Sequence, residues 1–167
     1  LHNYLAVGGL RMDLPPDFKD AVAGLLPEVE KGIDQCNGLI TDSEVFQART
    51  KGVNPLSVDE AARLGLTGPM LRAAGLPRDL RKLLSYSIYD RFDFEIPVGE
   101  NGDLFDRYKV RMLEMEQSVR IVRQALESMP DEGSIRGQAP RVLRLPEGEA
   151  YSRTESPRGD LCMYLVG

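Results

Sequence analysis

Residues 85–130, SYSIYDRFDFEIPVGENGDLFDRYKVRMLEMEQSVRIVRQALESMP, decide the fold. An extended stretch, Tyr86–Val98, leads into the turn Gly99-Glu100-Asn101-Gly102-Asp103, where Asp103 has the side chain of a helix N-cap. From there Leu104, Tyr108, Met112, Met115, Val119, Val122, Leu126 and Met129 recur at gaps of four and three. That spacing predicts a helix over 103–129, ~40 Å long at 1.5 Å per residue, with one narrow apolar stripe. Pro130 ends it. Glu116 and Arg120 fall on the solvent side, four apart in the favourable order.

A stripe of that kind needs a helical partner, and residues 16–37 supply one. Phe18, Val22, Leu25, Val29, Ile33 and Cys36 share a helical face behind the opening Pro15-Pro16-Asp17. Pro27 should bend this helix or leave one carbonyl unpaired, and Gly38 should stop it. Residues 41–84 alternate short helices with loops. Thr41 with Glu44, and Ser57 with Glu60, both have capping-box spacing. Gly8-Gly9 marks a turn near the start, and residues 131–147 are loop-like. Glu149 to Arg153 and Asp160 to Val166 alternate or are β-rich, joined by Thr154-Glu155-Ser156-Pro157-Arg158-Gly159, which predicts a hairpin over 149–166. The expected fold class is α+β, mainly α: two long antiparallel helices, a middle of short helices and loops, and a C-terminal β-hairpin.

The whole chain narrows the function classes. Its 167 residues suffice for one domain with a core, and 28% charged with 42% hydrophobic residues is globular composition. A net charge of −5 repels phosphate backbones and argues against nucleic acid as a partner. No apolar run approaches the roughly 20 residues that span a bilayer. Cys36 and Cys162 stand far apart, outside any CxxC spacing, which argues against a disulfide framework, a zinc knuckle or an iron–sulfur site. Both are expected as small buried hydrophobes. The start at Leu1 without methionine, and the end at Gly167 directly after a β-rich run, suggest one internal segment, 1–167, of a larger subunit.

Four blocks then resemble a known family: Gly8-Gly9 with Asp13-Leu14-Pro15; Gly65-Leu66-Thr67-Gly68-Pro69-Met70-Leu71-Arg72-Ala73-Ala74-Gly75 with Asp79-Leu80-Arg81-Lys82; Tyr89-Asp90 through Pro97 to Gly102-Asp103, Asp106-Arg107, Arg111 and Glu114-Met115; and Glu155-Ser156-Pro157-Arg158-Gly159-Asp160-Leu161. In this order they resemble the D-subunit family of the proton-pumping NADH–quinone oxidoreductases (respiratory complex I), a relative of the [NiFe]-hydrogenase large subunit. Ala6 stands where the family often has arginine, and the connection before the hairpin is shorter than in many members. That shorter connection is reminiscent of membrane-bound group 4 [NiFe] hydrogenases, whose large subunit is the alternative, with a non-catalytic scaffold packing on redox partners as a third reading.

The resemblance implies a peripheral subunit on the cytoplasmic face of the inner membrane. It would pack on other hydrophilic subunits, including an iron–sulfur subunit, around a quinone chamber. The complex would use NADH, FMN, iron–sulfur clusters and quinone, none of them bound by this segment. The family's quinone-contacting histidine and tyrosine are expected outside these residues, so no catalytic residue is assigned. His2, the only histidine, matches a position near the terminal cluster of a partner, where a donor or positive charge raises its potential; the other reading is a plain loop histidine.

The structural or interface candidates are Arg72, Asp79, Arg81, Tyr89, Asp90 and Arg158. Arg72, Arg81 and Arg158 stand by glycine-rich turns with acidic neighbours, as in an ion-pair net fixing loops and an interface. Ordinary exposed pairs worth ~0 to 1 kcal/mol are the plainer alternative. Asp90, Asp93 and Glu95 look like an exposed acidic rim rather than paired catalytic carboxylates, since no histidine accompanies them. Gly99-Glu100-Asn101-Gly102 lacks the GK[ST] ending of a phosphate loop.

Overall fold

Two helices run side by side in opposite directions and set the frame of the computed structural model, which describes residues 4–139, 144 and 146–167. The first, α1 (Phe18–Cys36), follows a small hairpin, β1 (Leu5–Ala6) and β2 (Gly9–Leu10), turned at Val7-Gly8. The last, α6 (Leu104–Ser128), starts at Asp103, whose carboxylate accepts from the Asp106 N–H at 2.9 Å. Lys19, at the start of α1, donates to the Met129 carbonyl at 2.7 Å and so puts a cation on the negative end of the α6 dipole. Thr41, beyond the other end of α1, meets the Tyr108 hydroxyl at 3.0 Å.

The seam between them is Leu26 and Ile33 of α1 against Met112 and Val119 of α6, with Tyr108 and Leu126 at its edges. This corrects the expected α1 face. Leu25 is 62% exposed, Val29 faces outward, and Cys36 is exposed rather than buried. The apolar arc of α1 is wide enough to seat either leucine, and α6 selects Leu26. Pro27 lies within an unbroken helix; lacking an N–H, it leaves the carbonyl of exposed Ala23 for water. Nor does the chain stop at Gly38: Asn37–Thr41 continues as a wider π turn, closed by Asp42 N–H onto the Asn37 carbonyl. Thr41 is taken up by Asn37 and Tyr108, so the cap of α2 (Glu44–Thr50) is Ser43, which accepts from Phe46 N–H. The second capping box forms as expected, with Ser57 and Glu60 opening α3 (Val58–Arg63).

α6 is buried on two opposite sides. Val110 and Ile121 point away from the α1 seam, and Met115, expected in the core stripe, is 42% exposed between the two faces. Ile121 packs with Phe92 and Phe94, flanked by Tyr89 and Ala125. Residues 92–98 extend along α6 without pairing as a strand, after a single 3-10 turn, Tyr89–Arg91. Two glutamines replace the missing ladder: the Asp93 N–H donates to Gln124 at 2.8 Å and the Glu95 N–H to Gln117 at 2.9 Å. N–H groups two apart on an extended chain point the same way, and side chains seven apart on a helix share a face, so the two spacings match. Asp93 is exposed and pairs with Arg120.

In the chain between the long helices, α3 and α4 (Gly68–Ala73) meet around a small core of Ala61, Leu71 and Ala74, while α5 (Leu80–Leu83) packs beside the C-terminal hairpin and the 3-10 turn. The C-terminal hairpin, β3 (Glu149–Ser156) with β4 (Gly159–Val166), pairs Glu155 with Asp160 across its closed end. That end docks on the start of α4 glycine against glycine. A Cβ on Gly68, whose φ is +62°, would lie 2.4 Å from the Gly159 Cα, so no side chain fits there.

Candidate functional site

The docked hairpin brings together charges far apart in the chain. Arg72, on α4, is 2% exposed, and Asp79, the N-cap of α5, is 1% exposed. Arg72 Nε donates to Glu114 of α6 at 2.6 Å, and its Nη1 donates to Glu155 of β3 at 2.9 Å and to the Arg78 carbonyl at 2.8 Å. Asp79 lies 3.8 Å from Arg72 and holds Arg81 at 2.6 Å while accepting the Arg81 backbone N–H at 2.9 Å. Glu155 takes the Leu80 N–H at 3.0 Å with its other oxygen, so one carboxylate ties β3 to both α4 and α5. The Glu155 N–H in turn donates to the Tyr86 hydroxyl at 3.0 Å. Beside this group Asp160 of β4 receives a two-pronged bond from Arg78, 3.0 Å on each arm, and a further bond from Arg153.

Burial and partners set the charge states. Burial raises the Asp79 carboxyl, but the hydrogen bonds and field of Arg81 outweigh it and hold the group below its ordinary value. Asp160 is lowered in the same way by Arg78 and Arg153. For Arg72, burial works against the charge, yet bonds to Glu114 and Glu155 raise its pKa. Glu114 behaves differently: burial raises it and the Arg72 contact does not reverse the shift.

A cavity of about 490 Å³ opens on this cluster, lined by Arg72, Arg81, Tyr89, Arg111 and Glu114 among others. The Arg81 guanidinium also covers the Phe94 ring at 4.9 Å. Ser118, also at the cavity, donates its hydroxyl to the Glu114 carbonyl at 2.7 Å within its own helix. The arrangement is therefore built for charge pairing rather than for nucleophilic attack.

Of the residues expected here, Arg72, Asp79 and Arg81 form one cluster and Tyr89 lines its cavity. Asp90 sits exposed in the 3-10 turn, and Arg158 is exposed on the hairpin turn. Neither has an ion-pair partner among the described residues, so the net expected around Arg158 is centred on Arg78 and Arg153 instead; the turn aims Arg158 outward while Asp160 faces in. His2 lies outside the described residues. Glu114 and Glu155 lie 42 and 83 residues from Arg72; both stand in the sequence blocks that carry the family resemblance, but no role was assigned to either. A further signal for Glu114 is that it lies four residues from Val110, on the second buried face of α6.

The loop 99–103 uses its own anion. One oxygen of Asp106 accepts the N–H groups of Glu100, Asn101 and Gly102, at 3.0, 2.6 and 3.2 Å. The Gly52 N–H donates to Asp103 at 2.7 Å, and Arg107 bridges the Asn54 and Gly102 carbonyls. Donors that could cradle a phosphate are thus engaged by the chain itself.

Comparison with known proteins gives one answer. Residues 1–144 match the family described as the respiratory-chain NADH dehydrogenase 49 kDa subunit. The chain is 45% identical over 164 residues to the NADH-quinone oxidoreductase D-subunit of Desulforamulus reducens, covering 98% of this chain and 44% of that protein. Against the corresponding D-subunit of Dehalococcoides mccartyi it is 48% identical over 165 residues, covering 99% of this chain and 45% of the relative. For that of Bacillus mycoides the figures are 42%, 98% and 45%. The chain spans a little under half the length of these curated relatives. Matched over residues 1–144 by the family and along nearly its whole length by these D-subunits, the chain belongs to the family of the respiratory-chain NADH dehydrogenase 49 kDa subunit.

Proposed function

We propose that these residues are a structural part of the quinone-site subunit of an NADH:quinone oxidoreductase that couples electron transfer to proton translocation. In this reading they carry no electron themselves; they hold the walls on which neighbouring subunits and the rest of their own subunit are placed. The observation that carries it is the buried Arg72 cluster, which joins α4, α5, α6 and the hairpin through directional bonds. Such a clamp fixes loops and a turn in place, and a binding site must be held within about 0.5 Å of its productive geometry.

The exposed surface supports a place inside an assembly. Leu161, Met163 and Leu165 follow one another on one face of β4, each at least 51% exposed, and an apolar patch of this kind marks a surface that other protein covers. No helix among the described residues is long and apolar enough to cross a membrane, in keeping with a peripheral place at the cytoplasmic face of the inner membrane. The residues present do not fit an iron–sulfur cluster: Cys36 and Cys162 are two thiols on different elements, where four ligands are needed. No step is therefore derived through a cluster in this chain; NADH, FMN, the clusters and quinone belong to the assembled complex and its other subunits, among them the iron–sulfur subunit.

The test is Arg72→Met introduced into the full-length subunit in its native complex. Quinone reduction with NADH should be lost together with stable incorporation of the subunit. A fully assembled complex with undiminished NADH:quinone activity would contradict the scaffold role, and a purified intact complex that never reduces quinone would contradict the assignment of activity.

A further inference from the structure

The charges around Arg72 do not pair one for one. The inner group contains two guanidinium groups, Arg72 and Arg81, against three carboxyls, Asp79, Glu114 and Glu155. Arg81 is committed to Asp79, and Arg72 divides itself between Glu155 and Glu114. Neighbouring cations make no ion pair with this group. Arg78 and Arg153 both pair with Asp160, and Arg111, one turn before Glu114 on α6, lines the same cavity but donates to the Arg107 carbonyl instead of to Glu114. Tyr89, the remaining titratable group facing the cavity, brings no positive charge. One carboxyl in the inner group thus lacks a counter-charge of its own, in a setting where an uncompensated ion is costly.

Geometry singles out which carboxyl it is. Both oxygens of Asp79 and both of Glu155 accept hydrogen bonds. Glu114 uses only Oε1, toward Arg72 Nε at 2.6 Å; its Oε2 has no hydrogen-bond partner among the described residues. Its side chain is 16% exposed, against 2% for Asp79 and 5% for Glu155, and it lines the 490 Å³ cavity. A neutral carboxylic acid suits this position: its carbonyl oxygen accepts from Arg72 while its hydroxyl oxygen donates a proton to water in the cavity.

We propose that Glu114 is a proton-binding site of the subunit, holding its proton to higher pH than an ordinary glutamate and exchanging it with the cavity beside Arg72, Tyr89 and Arg111. The direction of its shift agrees, burial being the largest cause. The site does not depend on the proposed quinone activity. It is a property of the folded cluster, and Glu114 is placed as a proton holder, apart from any reacting atom.

With its folded pKa above the ordinary glutamate value, Glu114 favours folding most fully below that ordinary value. The contribution is lost as pH rises through the raised one.

The experiment is pH-difference infrared spectroscopy on the full-length subunit in its complex, with isotopically labelled glutamate. The wild type is compared with Glu114→Gln and Glu155→Gln. Expected is a protonated-carboxyl C=O band that persists above the ordinary range of glutamate, moves with the label and disappears in Glu114→Gln. In Glu155→Gln, with one competing negative charge removed, the same band should titrate at lower pH. Glu114→Gln should also assemble at the wild-type level, because an amide replaces a neutral acid. A wild-type band that vanishes in the ordinary acidic range of carboxylates, a band that survives Glu114→Gln, a band unmoved or titrating at higher pH in Glu155→Gln, or a Glu114→Gln protein that fails to assemble would each overturn the proposal.

Discussion

The α1–α6 seam and the Arg72 cluster hold the same chain together by opposite means. Along the seam, Leu26, Ile33, Met112 and Val119 pack without direction, and neighbouring residues can substitute for one another in the arc. Around Arg72, each bond has one donor and one acceptor, contributed by segments up to 83 residues apart. The seam supplies bulk stability; the cluster supplies position. Losing a methyl group from the seam leaves a hole, whereas losing one partner from the cluster leaves buried charge, which is the more expensive defect.

Substitutions in the two regions should therefore differ. The largest effect is expected for Arg72→Met, which leaves Glu155 and Asp79 buried without their shared cation; the cost should be about 3–5 kcal/mol by chemical unfolding of the full-length subunit. Ile33→Ala comes next, at about 3 kcal/mol, with loss confined to the two long helices when followed by hydrogen exchange. Acid sensitivity should separate the regions as well. Asp79 and Asp160 are held below their ordinary values, so the stability they give is present above those values and is lost as pH falls through the lowered ones. An unfolding series from neutral to strongly acidic pH should show that limb in the wild type and a weakened one in Asp160→Asn. The smallest effect is expected for Met115→Asp. If Met115 belonged to the core stripe this change would unfold the chain, but at 42% exposure it should alter stability by about 0.5 kcal/mol or less in a thermal melt.

That contrast also explains what could be read in the amino-acid sequence. Periodicity placed both long helices to within two residues and the hairpin where it occurs, because those signals are local. Periodicity could not decide between Leu25 and Leu26, since the choice belongs to the partner helix. It presented α6 as a one-sided stripe although Val110 and Ile121 bury a second face. Thr41 has a cap's side chain, but Asn37 and Tyr108 claim it, and the cap falls to Ser43. Burial of Cys36 and Cys162 was inferred from residue type alone, and both lie at the surface.

At the site, Arg72, Asp79 and Arg81 stand within ten residues of one another and are recognisable as an ionic group. Glu114 and Glu155 reach them only through the tertiary fold. The close approach of Gly68 to Gly159, which seats the hairpin on α4, likewise appears only in the fold.

The most direct test of the claim that Arg72 clamps the hairpin to the helical core is a double-mutant cycle, Arg72→Met with Glu155→Gln, in the full-length subunit. The clamp predicts a coupling energy of about 1–3 kcal/mol together with faster hydrogen exchange along residues 149–166 in both single variants. Additivity of the two substitutions within about 0.5 kcal/mol, with hairpin exchange unchanged, would contradict it.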